Sequence, residues 1–220
     1  MKQLDIDGWY KCKIDKKVYK QLTKRSDWQG LKHVSLWLLL LIISGYVACI
    51  SWGTWWAIPA FLVYGNIFMA CNPVWHECGH RTAFKTRWLN EFFYHVGSFL
   101  YNFEPIRWRW SHFHHHSYTL HTNPYDYEIQ VTKPTDLFYV FLMHIPGGNL
   151  FLIFKGILSF HWETIKHAFG ITTPVMKDCI PENERSKCRF YSRLHILIWL
   201  CIVLFSFFVS SWLPVMLILL

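Results

Sequence analysis

Five histidines stand at spacings that put them on shared helical faces: His76 and His80, then His112, His115 and His116. A helix advances ~100° per residue, so His76 and His80 point within ~40° of each other. His112, His115 and His116 share an arc of ~100°, with His114 on the far side. Neutral imidazole suits iron, copper, nickel and zinc, so two helices that each present such a cluster can hold one or two first-row ions. Chance placement on a polar surface does not account for five histidines on two arcs. Cys78 lies between the first pair but ~200° from His76, and reads as a small buried filler.

A second chemistry competes for part of this pattern. His76-Glu77-x-x-His80 fits the helix of zinc proteases, in which two histidines hold zinc and the glutamate is the base. That reading makes an intramembrane protease, needs Glu77 and leaves the second cluster unused. A third reading is a membrane fragment that binds stray metal without turnover. Downstream, His121-Thr122-Asn123-Pro124-Tyr125-Asp126-Tyr127-Glu128 forms a turn with two acids. Metal-bound imidazoles donate their second N–H to carboxylates or carbonyls, which makes Asp126 and Glu128, with Asn123, candidates for that support. An ordinary solvated turn explains the same residues.

The elements that must hold these residues are greasy. Of 220 residues 53% are hydrophobic and 19% aromatic, with 13 Trp, which exceeds a soluble domain of this size. The net charge of +8 is unevenly spread: nine Lys and Arg lie in residues 1–32, thirteen in 81–193, and none in 33–80 or 194–220. Basic segments flanking apolar runs mark the cytoplasmic side of a membrane. The charge follows the apolar runs and makes no stripe of its own, which argues against nucleic acid as a partner. The seven cysteines form no Cys-x-x-Cys pair, and disulfides are not expected in that compartment.

The expected fold is therefore an all-α integral membrane protein. Residues 1–32 make a cytoplasmic N-terminal segment and 33–220 a membrane domain. A hairpin of Val34–Ile50 and Ala57–Cys71 turns at Ser51-Trp52-Gly53-Thr54-Trp55-Trp56, rich in interfacial Trp. Leu89, Phe92, Phe93, Val96, Phe99, Leu100 and Phe103 recur at three and four. They predict an amphipathic helix in the interface or under the hairpin, with His95 on its polar face. Glu104-Pro105 ends it, since a residue before proline avoids the helical region, and a new helix carries Arg107-Trp108-Arg109-Trp110 into the second cluster. Residues 137–160, broken at Pro146-Gly147-Gly148, suit two interfacial helices, the second capped by Gly170. Thr172–Arg193 reads as a polar loop. Leu194–Leu220 is apolar, and Ser210-Ser211-Trp212 suggests the turn of a second transmembrane hairpin that has only begun by Leu220.

His76-x-x-x-His80 followed by Trp108-x-x-x-His112-x-x-His115-His116 resembles the first two histidine boxes of the membrane fatty acid desaturase and hydroxylase family. His76-Glu77-Cys78-Gly79-His80-Arg81-Thr82-Ala83-Phe84 and Arg107-Trp108-Arg109-Trp110-Ser111-His112 most resemble a bacterial branch that includes rhizopine-catabolism desaturase-like proteins. The likeness covers residues 34–220. It implies an oxidoreductase of lipid metabolism with two iron ions (Fe2+/Fe3+) and O2 as co-substrate, which desaturates or hydroxylates an acyl chain. His76, His80, His112, His115 and His116 would be the metal ligands. It further implies a lipid or fatty acyl substrate, a ferredoxin-, rubredoxin- or cytochrome-type electron donor, and a multi-pass protein of the bacterial inner membrane whose N-terminus and His boxes are cytoplasmic. Basic residues such as Arg81, Lys85 and Arg87 would dock an acidic donor or anionic head groups. The family carries a third His-x-x-His-His box after the second hairpin, with a further His before it, and this sequence has neither. The expectation from that departure is a C-terminally truncated relative with an incomplete di-iron site, inactive alone.

Overall fold

A computed structural model of the chain describes residues 13–118, 134, 137–138 and 157–219. Among the described residues every regular element is a helix: α1 (Lys16–Leu22), α2 (Asp27–Ser51), α3 (Ala57–Met69), α4 (Cys71–Gly79), α5 (Arg87–Leu100), α6 (Pro105–Ser117), α7 (Ile157–Ala168), α8 (Pro174–Cys179), α9 (Glu182–Phe208) and α10 (Leu213–Leu219). The turn that holds Asn123, Asp126 and Glu128 and the break at Pro146-Gly147-Gly148 lie outside the described residues.

Three helical stretches are long and apolar enough to cross a membrane: Lys16–Ser51, Ala57–Gly79 and Glu182–Phe208. The first arm of the expected hairpin is longer than its apolar run. Ser26 caps it and Asp27 opens it, so α2 starts seven residues before Val34. The second arm does not stop at Cys71, because α3 runs into α4 and carries the chain to the first histidine pair. From Ala57 to His76 is ~29 Å at 1.5 Å per residue, about the hydrocarbon thickness. The tryptophan turn and the histidines therefore sit at opposite ends of one span. Trp37 ties the arms together by donating its indole N–H to the Ile67 carbonyl at 2.9 Å. Leu36, Leu39, Ile43 and Ile50 of α2 stay more than half exposed, as a lipid-facing surface requires.

The amphipathic helix α5 is present, and its buried side is the polar one. Asn90, Tyr94, Gly97 and Ser98 face the protein, whereas Trp88, Phe92 and Val96 face outward. Small and hydrogen-bonding residues let α5 lie close on α4. A Cβ on Gly97 would come within 2.7 Å of Trp75 Cβ, and the Trp75 indole N–H donates to the Ser98 hydroxyl. Asn90 accepts from the Phe84 N–H at 3.1 Å and donates to the Phe84 carbonyl at 2.9 Å, which folds the 81–86 connection onto α5. The outward phenylalanine and valine suit a helix lying in the lipid interface.

The stretch Thr172–Arg193 is not a polar loop. It forms α8 and the first turns of α9. Pro174 at the first turn of α8 and Pro181 capping α9 provide the two starts. Glu182 and Glu184 lie in the first turn of α9, where the helix dipole favours acids, and pair with Arg185 at 3.4 Å and Lys187 at 2.7 Å. High polarity alone suggests a loop, but these charges sit at helical spacings. Beyond α9, Ser210 takes φ 49° and the chain turns into α10. Leu213, Met216 and Leu217 then pack on Ala48, Phe61 and Tyr64 of the first hairpin. Tyr64 donates its hydroxyl to the Leu217 carbonyl at 2.6 Å. The expected second turn is thus where the tryptophan, Trp212, stands.

Candidate metal centre

α4 and α6 bring four of the five histidines to one point. His80 Nε2 is 3.2 Å from His76 Nε2, 3.0 Å from His112 Nε2 and 3.2 Å from His116 Nε2. His112 and His116, one turn apart on α6, are 3.0 Å apart at the same atoms. One ligand atom from each of the four lies within 4.8 Å of all the others. Ligands at ~2.1 Å from one ion stand ~3.0 Å apart as octahedral neighbours and ~3.4 Å apart at tetrahedral corners. The four nitrogen contacts of 3.0–3.2 Å in this set match the spacing of neighbouring ligands on a first-row ion. His112 is buried, His76 half-buried, and His80 and His116 are exposed, so the cluster opens on one side.

Its electrostatics favour the ligating form. The His80 imidazole is pushed down to about 4, first by burial and then by His112, His76 and His116 beside it. Neutral imidazole keeps a lone pair for a cation, so this ligand needs no proton removed at neutral pH.

Packing fixes where the rings meet. Trp108 stacks on His112 with centroids 4.2 Å apart and planes at 13°. It meets His76 edge-on at 5.5 Å and Trp75 at 3.9 Å. Gly79 lets it in, since a Cβ there would stand 2.8 Å from Trp108 Cζ3. Arg81, directly after His80, sits at φ 61° where the α4 end reverses in a left-handed cap. Its Nε donates to Glu91 Oε1 at 2.7 Å, and Arg109 Nη2 donates to Glu91 Oε2 at 3.0 Å. One carboxylate on α5 therefore clamps the end of α4 to the start of α6. The two arginines hold the Glu91 carboxyl below the usual carboxylate range against the opposing effect of its burial. Arg109 also lies over the Tyr94 ring, 4.1 Å from its centroid.

His115 is on the cluster side of α6 without converging on it. Its ring lies parallel to that of His112 at 5.6 Å and 5.7 Å from His116. His114 points away and meets the Tyr118 ring at a tilt, with centroids 5.6 Å apart and planes at 49°. His95 stacks on Tyr191 at 4.6 Å, outside the cluster. Cys78 is fully buried, as a filler should be. Glu77 does not reach toward the metal ligands: Thr82 donates its hydroxyl to Glu77 Oε2 at 2.6 Å. A catalytic zinc keeps three protein ligands and an open position beside its base. Four convergent imidazoles and a glutamate held by its own helix end do not make that site, so the protease reading is set aside.

A cavity of about 640 Å³ lies at the cluster, and His80, His112, His116, Trp108, Trp110 and Phe113 are among the residues that line it. Arg81 and Arg109 stand at its edge. The sequence gives Glu91 no role, and names Trp108 and Arg109 only as part of the run into the second cluster. Only Trp108 left a trace there, four residues before His112 and so one turn below it.

Helical spans with a four-imidazole cluster at one end define a membrane protein equipped to bind a transition metal. The sequence profile of the fatty acid desaturase family matches residues 51–220, and the chain belongs to that family. It is 30% identical over 135 residues to an sn-1 oleoyl-lipid 12-desaturase of Synechocystis sp., which covers 58% of this chain and 36% of that protein. It is 33% identical over 73 residues to the sn-1 oleoyl-lipid 12-desaturase of Anabaena variabilis, covering 33% of this chain and 20% of that one. It is 30% identical over 119 residues to an sn-1 acyl-lipid omega-3 desaturase (ferredoxin) of Nostoc sp., covering 49% of this chain and 33% of that one. The matched stretches span between a fifth and about a third of those relatives' length. No solved structure matches the chain. The family implies iron, and the four imidazoles are the group that could hold it.

Proposed function

We propose that this chain carries part of the iron centre of a membrane acyl-lipid desaturase or hydroxylase that uses dioxygen. The observation that carries the reading is the convergence of His76, His80, His112 and His116 at the end of a membrane span. In this account those four hold one iron, and His115 is offered to a second. When bound, iron would supply the electrons that activate dioxygen, the oxidant, to take hydrogen from an unactivated carbon.

The chain's own residues do the rest. Neutral imidazoles bind cations without a proton to displace at neutral pH. Trp108 holds His112 in one orientation by face-to-face contact. Trp110 and Phe113 give the pocket an apolar wall against which a hydrocarbon chain lies and from which water is excluded. The substrate class is an acyl lipid, and the electron donor is of ferredoxin type, as in the name of the Nostoc relative. The basic residues near the site, Arg81, Lys85 and Arg87, face the donor from the cytoplasmic side of the bacterial inner membrane.

The test is a graft. The 135-residue stretch matched to the Synechocystis enzyme replaces its counterpart in that protein. Acyl lipids of a host expressing the chimera are then analysed by gas chromatography. Oxygen-dependent gain of unsaturated or hydroxylated acyl chains is expected, and its loss on His80→Ala. A chimera that holds iron yet leaves acyl chains unchanged contradicts the proposal.

A further inference from the structure

The far end of α6 from the histidines meets a second set of ionisable residues, three of them fully buried. Glu104 caps the helix with both carboxylate oxygens: Oε1 accepts from the Ile106 N–H at 3.0 Å and Oε2 from the Arg107 N–H at 2.6 Å. Oε2 also faces Cys188 Sγ of α9 at 3.1 Å. Cys188 Sγ lies 3.5 Å from His167 Nδ1 of α7, and His167 Nε2 lies 2.8 Å from the Thr173 hydroxyl. Glu163 reaches the same His167 nitrogen at 3.5 Å. Glu104, Cys188 and His167 are each 0% exposed. Tyr94 of α5 donates to the next carbonyl in the chain, that of Pro105.

Burying three polar groups costs more than burying three apolar ones of equal size unless their hydrogen bonds are made. Here they are made, and they run from α6 through α9 to α7. Elsewhere α6 is held by the Glu91 clamp on Arg109, which ties it to α4 and α5. The relay ties it to the opposite layer. A one-residue slip at the cap would move the helix ~1.5 Å along its axis and turn it ~100°. A metal site tolerates about 0.5 Å.

We propose that Glu104, Cys188 and His167 form a buried relay that fixes α6 along its axis, and that Cys188 is the positioning residue through which α9 sets where His112 and His116 meet His76 and His80. The inference rests on reading the four imidazoles as a metal centre. Burial also pushes the Glu104 carboxyl up to about 7, against the pull of the backbone N–H groups, Cys188 and Arg107.

Cobalt(II) titrated into the full chain in detergent, followed by its visible absorption, tests this. Cys188→Ala should weaken cobalt binding at least tenfold and shift the band. Cys188→Ser, whose hydroxyl still donates to Glu104, should return affinity to within about threefold. Cys179→Ala removes the same volume from the same apolar cluster and should leave affinity within about threefold. Equal affinity for Cys188→Ala and Cys179→Ala overturns the inference. If Cys188→Ala does not fold, Glu104→Gln decides: its amide cannot accept from both N–H groups, and unchanged affinity there overturns the inference as well. An unaltered chain that binds no cobalt overturns the metal-centre reading and this inference together.

Discussion

Among the four imidazoles His80 is the hub, since its Nε2 is within 3.2 Å of three others. Replacing it with alanine removes a quarter of the donor set and the close nitrogen contacts that His80 makes with His76, His112 and His116. His80→Ala should lower affinity for the first metal equivalent at least a hundredfold in an isothermal titration, whereas His115→Ala should change it by about threefold or less. Equal losses would place His115 in the first ion's shell. Glu104 offers a prediction in pH. Its native pKa, about 7, stands above the ordinary 4.5, so between those values the native chain binds more protons than the unfolded one. The stability this residue contributes is fully present below about 4.5 and is lost as pH rises through about 7. Because His80, held down to about 4, shifts stability the other way in both chains, the comparison is with Glu104→Gln: from pH 5.5 to pH 8 in detergent the unfolding midpoint of the unaltered chain should fall relative to that of Glu104→Gln.

The metal helices depend on how closely α5 lies against α4. The Gly97 Cβ position, 2.7 Å from Trp75 Cβ, has no room for a methyl group. Gly97→Ala should destabilise by about 1–3 kcal/mol as α5 is pushed off α4, read as a lower unfolding midpoint. The Glu91 clamp is partly solvated, so Glu91→Gln should cost only ~1 kcal/mol of stability. It should cost more in metal affinity, about tenfold, because it frees the end of α4 from α6. At this scale the sequence was readable where one period dominated. The hairpin, α5, α6 and the Gly170 cap follow from apolar spacing, proline and glycine. Two features were not readable. The inward face of α5 is polar because Asn90 is bound by the Phe84 backbone of the preceding connection and Ser98 by Trp75 of α4, partners outside the helix whose own period does not show them. The start of α9 was hidden because its charges sit in i, i+3 pairs that only a helix brings together.

In the whole molecule, both turns bearing tryptophan, Gly53–Trp56 and Ser210–Trp212, lie at one end of the spans, and the histidines at the other. A maleimide-reactive cysteine placed at Thr54 should label from the outside of intact cells. One placed at Lys85 should label only after permeabilisation. The reverse pattern would invert the orientation. The histidine cluster was legible from spacing because helical periodicity places His76 with His80 and His112 with His116. What spacing alone did not give was the separation of His115 from the others, which follows from how α6 is rotated by Trp108 and the Glu91 clamp. The central claim is that four imidazoles from two helices hold one iron. The most direct measurement is X-ray absorption at the iron edge on the iron-loaded chain, compared with His80→Ala and His112→Ala. The account predicts about four imidazole nitrogens in the first shell of the unaltered chain, fewer bound irons in both variants and a changed shell in what remains. An iron shell of oxygen ligands, or one that the two substitutions leave unchanged, would contradict it.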